Sequence, residues 1–314
     1  MGENIDNDVI KLVDLLKHKY EQNSQDFKAY LEGLLYQEYT NYWDYIQADT
    51  LLTLQKPRTY LKDELVFIIY HQITELYFKL TLHEMEQLAE LKGKLTADFF
   101  TVRLKRINAY FRNLTASFEI MVNGMEKEQF LKFRMSLLPA SGFQSAQYRM
   151  IEIMATDFIR LVSKQYRNNY NNTSKIEDMF EHIYWKAGAT EIATGRKTLT
   201  LTLFEKKYSD KLIRLAKKHR QTNLWALYKS LPEAEQNNAE LITELRLFDQ
   251  NVNVNWPLIH YKSAVRYLQK DPNDIAATGG TNWQKYLPPR FQLRIFYPDL
   301  YSKEELENWG KHLN

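Results

Sequence analysis

Two histidines, one arginine and a Gly-Gly pair are the residues whose settings in this sequence suit chemistry. His71 lies one helical turn after Phe67 and one turn before Glu75, within the apolar stretch DELVFIIYHQITELYFKLTLHEMEQL. An imidazole there is either a core histidine with a buried partner or a group facing a cavity, able to exchange hydrogen bonds near neutral pH. In NVNVNWPLIHYKSAVRYL, Trp256, His260 and Ala264 share a face at i, i+4 and i+8. Pro257 either starts a helix there or kinks a longer one. The small Ala264 leaves room beside His260 for something large and flat; the plainer alternative is a histidine packed on an indole. Arg134 sits among Phe130, Leu131, Phe133, Leu137 and Leu138, just ahead of the turn Pro139-Ala-Ser141-Gly142. A buried guanidinium needs an anion, since stripping the partner from a buried pair costs about 3–5 kcal/mol. A substrate carboxylate would match its planar fork, and Glu152 or Glu128 would serve as internal partners. The loop IAATGGTNW, 275–283, holds the one Gly-Gly pair, which bares backbone N–H groups to a close ligand.

The other histidines carry less. His18, His219 and His312 lie in lysine-rich or polar surroundings and read as solvated. His83 and His182 each adjoin a glutamate, yet neither completes an H-E-x-x-H zinc site or the E-x-x-H pairs of a carboxylate di-iron bundle. The chain has no cysteine, which removes disulfides, thiolate metal sites, iron–sulfur clusters and cysteine nucleophiles together. A haem iron held by one neutral imidazole, with its other face open, stays available to His260. Tyr, Phe and Trp number 21, 16 and 6, flat surface that suits both a core and the stacking of a planar ligand. A net charge of +3 gives no electrostatic reason to expect nucleic acid or an anionic membrane. No run approaches the ~18 apolar residues of a membrane span. The polar, acidic start is no signal peptide, so a cytoplasmic protein is the expectation.

Helices must position these groups. Only 10 glycines and 8 prolines occur, and apolar residues recur at helical spacing almost throughout. Ile69, Ile73, Leu76 and Leu80 form one row and Phe67, His71, Phe78 and Leu82 lie on another part of the same helix, so it is apolar over a wide arc and reads as central. Asp63 and Glu64 suit its N-terminal end and Gly93 its stop. Further helices are expected over 98–123, 144–165, 199–229 and 233–252, and from Pro257 to about Lys270. No linker divides the chain. The expectation is one all-α domain over 1–314, with a small helical insertion at about 166–250.

Four separated stretches, in order, resemble the tryptophan 2,3-dioxygenase family. Phe67-Ile-Ile-Tyr-His71-Gln-Ile-Thr-Glu-Leu is similar to its F-I-x-x-H-Q-x-x-E-L helix. Phe133-Arg134 followed by Ser141-Gly142-Phe-Gln-Ser-x-Gln-Tyr-Arg149 looks like its most diagnostic signature. Trp256-x-x-x-His260 with Thr278-Gly-Gly, and Arg294-Ile-Phe-Tyr-Pro-Asp-Leu300, resemble its later segments. The resemblance spans about residues 40–300 and departs from the family at Phe130, often tyrosine in bacterial members, and at Thr281-Asn282-Trp283. It implies an all-helical domain of the tryptophan/indoleamine dioxygenase type that binds haem b. The implied reaction inserts both atoms of O2 across the indole C2–C3 bond of L-tryptophan to give N-formylkynurenine. His260 would be the proximal iron ligand, with Trp256 beside the haem. His71 would hydrogen-bond the indole N–H from the distal side. Arg134 would pair with the substrate carboxylate and Thr278 would contact the amino-acid end. Phe67, Phe130 and Leu137 would wall the indole pocket, with Ser141 and Gly142 near the haem. Tyr42, Tyr45 and Ile46 match an N-terminal segment, about 1–50, that reaches a neighbouring subunit's pocket, which implies a homotetramer. Two rivals stand beside this: a related haem enzyme hydroxylating a modified tryptophan or tyrosine, and a cofactor-free helical interaction scaffold.

Overall fold

The computed structural model describes residues 6–91, 93–137, 139–190, 194–269 and 288–311. It divides into two compact units, residues 1–55 and 56–314. No strand occurs among the described residues; extended pairing is confined to the isolated antiparallel bridges Val162–Ile183 and Thr190–Lys197. The protein is all-α.

The first unit carries α1 (Asn7–Glu21), α2 (Phe27–Leu34), α3 (Tyr42–Ile46) and α4 (Ala48–Leu51). Local chemistry starts the first two: Asp6 accepts from the Asp8 N–H, and Asp26 from the N–H groups of Lys28 and Ala29. None of these four helices buries a residue, and Leu12, Leu15, Tyr36, Tyr39, Tyr42 and Tyr45 are all well exposed.

The second unit is built on α5 (Asp63–Glu90) and α6 (Ala97–Ser117), which pack along each other. The short α7 (Glu119–Asn123) and α8 (Lys127–Phe133) follow, then α9 (Ala146–Ala155). At the head of α5, buried Glu64 accepts from the N–H groups of Arg58 and Thr59 and from the Thr59 hydroxyl. These bonds hold its carboxyl below the usual range although burial alone would raise it. Gly93, at φ +82°, takes the left-handed conformation that turns the chain after α5.

Six further helices come next: α10 (Lys164–Arg167), α11 (Ile176–Glu181), α12 (Tyr184–Gly188), the long α13 (Leu199–Lys218), α14 (Leu224–Ser230) and α15 (Glu233–Gln236). Then α16 (Ala239–Gln250) runs through a π-turn (Asn251–Asn255) into α17 (Trp256–Leu268) as one rod. Pro257 therefore lies inside a longer helical run instead of opening one. The core is aromatic and aliphatic, with Phe78, Phe100, Phe111, Leu104, Ile107 and Phe248 fully enclosed.

Several sequence expectations change: the helices expected over 98–123, 144–165 and 233–252 are each interrupted, at Phe118, after Ala155 and between α15 and α16. The helix over 199–229 is broken between α13 and α14, where Asn223 caps the second piece by accepting from the Ala226 N–H. α5 is central, packed against α6, α8, α9 and α14, although its row Ile69, Ile73, Leu76 and Leu80 is 40–48% exposed. The buried row of α5 is instead Tyr70, Thr74, Phe78, Thr81, Met85 and Leu88. An apolar stripe and a core stripe share one helix, and periodicity alone does not say which faces inward.

Candidate active site

The site grows from α5, α8 and α17. On α5, the Phe67 ring lies 4.1 Å from the His71 imidazole, 5.6 Å from Phe133 and 6.2 Å from Phe130. Phe130 in turn lies 4.5 Å from Tyr267 of α17, so three helices meet around one aromatic wall. Leu137 is half-buried against the same core.

The two histidines have matching chemistry. His71 Nδ1 lies 2.7 Å from the Phe67 carbonyl, and His260 Nδ1 lies 2.9 Å from the Trp256 carbonyl. A carbonyl oxygen only accepts, so in each neutral ring Nδ1 carries the proton and Nε2 keeps its lone pair. Burial lowers the pKa of both. His260 falls to about 4, with His71 close enough to add to the shift through its own charge. For His71 burial outweighs the hydrogen bond to Phe67 and the Glu75 carboxylate, both of which pull upward. Two neutral imidazoles, from α5 and α17, thus sit within electrostatic reach, each with a free Nε2. His260 is braced by Trp256 at 4.3 Å and Phe118 at 4.4 Å. Glu75 is itself fixed, its carbonyl and carboxylate both accepting from Gln147 Nε2 at 2.8 Å.

Arg134 opens a 3-10 turn, Arg134–Leu137, at the end of α8 and is 4% exposed. Burial pushes its guanidinium below the usual range. Glu152, one of its expected internal partners, is occupied by Arg149, Arg294 and the Tyr184 hydroxyl; Glu128 is exposed. Ser141 and Gly142 lie in the following turn. Ser141 and Gln144 cap each other, Gln144 donates to the Thr200 carbonyl, and the Thr200 hydroxyl donates to that of Pro139. The turn is therefore fastened to the start of α13. A Cβ built on Gly142 would meet nothing within 4 Å.

Other sequence candidates belong to the first unit or lie outside the described residues. Tyr42, Tyr45 and Ile46 are on α3 of the first unit, with Tyr42 74% and Tyr45 81% exposed. Leu138, His312, Thr278, the Gly-Gly pair and Thr281-Asn282-Trp283 fall outside the described residues. His219 does not match its solvated reading: it is 2% exposed, enclosed where α13 meets α11 and the turn around Phe158. It lines a separate cavity of about 230 Å³ with Asp157, Met179 and Asn223, which holds none of the residues singled out for chemistry. Sequence reading missed Tyr267, Phe118 and the buried cluster Arg149–Glu152–Tyr184–Arg294. Its two arginines lie inside the quoted Gln-Tyr-Arg149 and Arg294-Ile-Phe-Tyr stretches, which was the available signal.

Among the described residues no three His, Asp or Glu side chains gather as a metal site, and no helix is long and apolar enough to cross a membrane.

Residues 32–187 match the family model described as tryptophan 2,3-dioxygenase. Tryptophan 2,3-dioxygenase of Anaeromyxobacter dehalogenans is 39% identical over 113 residues, 36% of this chain and 42% of that relative, so this stronger match spans less than half of the relative's length. Those of Herpetosiphon aurantiacus and Bradyrhizobium diazoefficiens align over 267 residues, 83% of this chain. They are 28% and 24% identical and are covered over 96% and 90% of their lengths. With the all-helical fold and the ordered motifs, these matches show that the chain belongs to the tryptophan 2,3-dioxygenase family.

Proposed function

We propose that this protein is a haem-dependent dioxygenase that adds both atoms of O2 across the indole C2–C3 bond of L-tryptophan to give N-formylkynurenine. The observation that carries the reading is the pair His71 and His260, two neutral imidazoles on different helices with Nδ1 spent and Nε2 free. The donor set fits a haem: an imidazole ligand is ordinarily oriented by an Nδ1–H bond to a carbonyl, as in His260. When bound, the haem supplies the iron chemistry that activates oxygen.

The chain's own residues do the rest. His260 would hold the iron through Nε2, with Trp256 and Phe118 fixing the ring. His71 Nε2 would accept the indole N–H, which orients the substrate's five-membered ring. The Arg134 fork would take the substrate carboxylate, while Phe67, Phe130 and Leu137 exclude water around the indole. Ser141 and Gly142 would form the wall next to the haem, and Thr278 would meet the amino-acid end. The exposed apolar row on α5 and the coreless first unit support a homotetramer in which Tyr42, Tyr45 and Ile46 serve a neighbouring pocket.

The test is to load the protein with haem, reduce it without oxygen, add L-tryptophan and O2, and weigh the product. Gain of both oxygen atoms is the expected result. Gain of one would make it a hydroxylase, and absence of a Soret band after haem addition would remove the haem reading altogether.

A further inference from the structure

We propose that Tyr148, together with a buried asparagine ladder, is a positioning residue for His260: it anchors the π-turn that aims the imidazole. The inference rests on the reading of His260 as haem ligand and extends it to residues outside the pocket.

The register of the rod makes the case. Phe248, Val252, Trp256 and His260 follow at intervals of four. In an α-helix each step of four overshoots a full turn by about 40°, so three steps would swing His260 by roughly 120° from the face of Phe248. Yet Phe248, Val252 and Trp256 are all buried, and His260 packs against Trp256. The π-turn at Asn251–Asn255 supplies the extra residue that keeps them in line.

That turn leaves one carbonyl stranded. The Trp256 N–H bonds the Asn251 carbonyl, five residues back. The Val252 carbonyl thereby loses its helical donor, and the next residue, Pro257, has no N–H to offer. The Tyr148 hydroxyl fills the gap, donating to the Val252 carbonyl at 2.7 Å in a buried setting. The ring of Tyr148 is held against Phe78 at 5.5 Å. Side-chain amides fasten the turn as well: Asn255 donates to Asn251, Asn251 to Asn108, and Asn108 to the Glu244 carbonyl and carboxylate. Asn253 donates to Asp249. The polar residues of NVNVN are thus taken up by the turn, one turn ahead of His260.

Tyr148→Phe removes the hydroxyl and keeps the ring. Three readouts are taken beside melting temperature: amide hydrogen exchange of the 248–261 peptide in haem-free protein, haem loss to apomyoglobin, and the iron–histidine stretching band of the ferrous protein. Expected are faster exchange confined to that peptide, haem loss faster by about ten- to a hundredfold, and a displaced or broadened iron–histidine band. Adding Pro257→Ala restores an N–H five residues after Val252 and is expected to recover part of each change. A lower melting temperature with wild-type exchange, haem loss and band would make Tyr148 a stabilising residue only and overturn the proposal, as would a double variant no better than Tyr148→Phe. If wild-type protein takes up no haem, the ligand reading fails while the exchange experiment still decides whether Tyr148 anchors the turn. Should Tyr148→Phe not fold, Asn255→Ala, at the outer end of the ladder, is carried through the same readouts with the same expectation.

Discussion

A histidine's chemistry depends on which nitrogen keeps the proton, and in His71 and His260 a carbonyl one turn back decides it. On the proposed reading, that division of labour would make the indole N–H the partner of His71 Nε2. His71→Ala should therefore narrow the preference for L-tryptophan over 1-methyl-L-tryptophan, which has no N–H to give. The ratio of their kcat/KM values is expected to fall by about ten- to a hundredfold, the worth of one buried hydrogen bond of ~1–3 kcal/mol. An unchanged ratio would mean that the imidazole does not read the indole nitrogen. Residue type and neighbourhood were enough to single out His71, His260 and Arg134 in the sequence, because a polar group in an apolar run always needs an explanation. Tautomers were not legible, since they depend on a side chain folding back onto its own helix. Nor was the fate of Glu152: the two arginines that claim it lie 3 and 142 residues away.

At the scale of elements, helices could be read from spacing, but their interruptions could not. The expected 199–229 helix breaks where Asn223 caps α14 and His219 turns inward beside α11, the first legible locally and the second only from packing. A helix C-terminus favours a charged imidazole by about 0.3–1 kcal/mol. Burial opposes it, Lys218 adds to the opposition, and the balance lowers the pKa of His219 despite an upward pull from Thr222, whose hydroxyl lies 3.1 Å from Nδ1. The sign follows. A histidine whose folded pKa lies below its unfolded value stabilises the fold above about pH 6.5, and that contribution drains away as the pH falls through the folded value. Melting temperature measured from pH 7 to pH 5 should accordingly drop less steeply in His219→Gln than in wild type. Parallel curves would show that His219 charges freely inside the fold. The π-turn belongs to the same lesson: NVNVN looks like a polar–apolar alternation, and only the long-range partners Asn108 and Tyr148 make a bulge of it.

On the scale of the whole molecule, the informative feature is apolar surface that neither unit buries within itself. Residues 1–55 form a unit whose helices bury nothing, and a segment of that size without a core cannot offset the entropy of ordering it alone. The second unit separately presents Leu65, Ile69, Ile73, Leu76 and Leu80 along one side of α5, each 40% or more exposed. A contiguous apolar stripe flanked by polar residues marks an association site, and among closed assemblies copies of one chain are the common solution. Two such surfaces on one chain allow more than a dimer. The expectation is that the protein sediments as a tetramer, and that Ile73→Glu with Leu80→Glu lowers its mass toward that of a single chain. Both side chains point away from the buried row of α5, so the variant should retain its helical circular dichroism. Charge placed in a shared apolar interface must be desolvated on association, several kcal/mol per ion even after relaxation, and each copy carries two. Sedimentation of a wild-type monomer, or of a double variant that remains a tetramer, would mean that the stripe on α5 is not where copies of this chain meet.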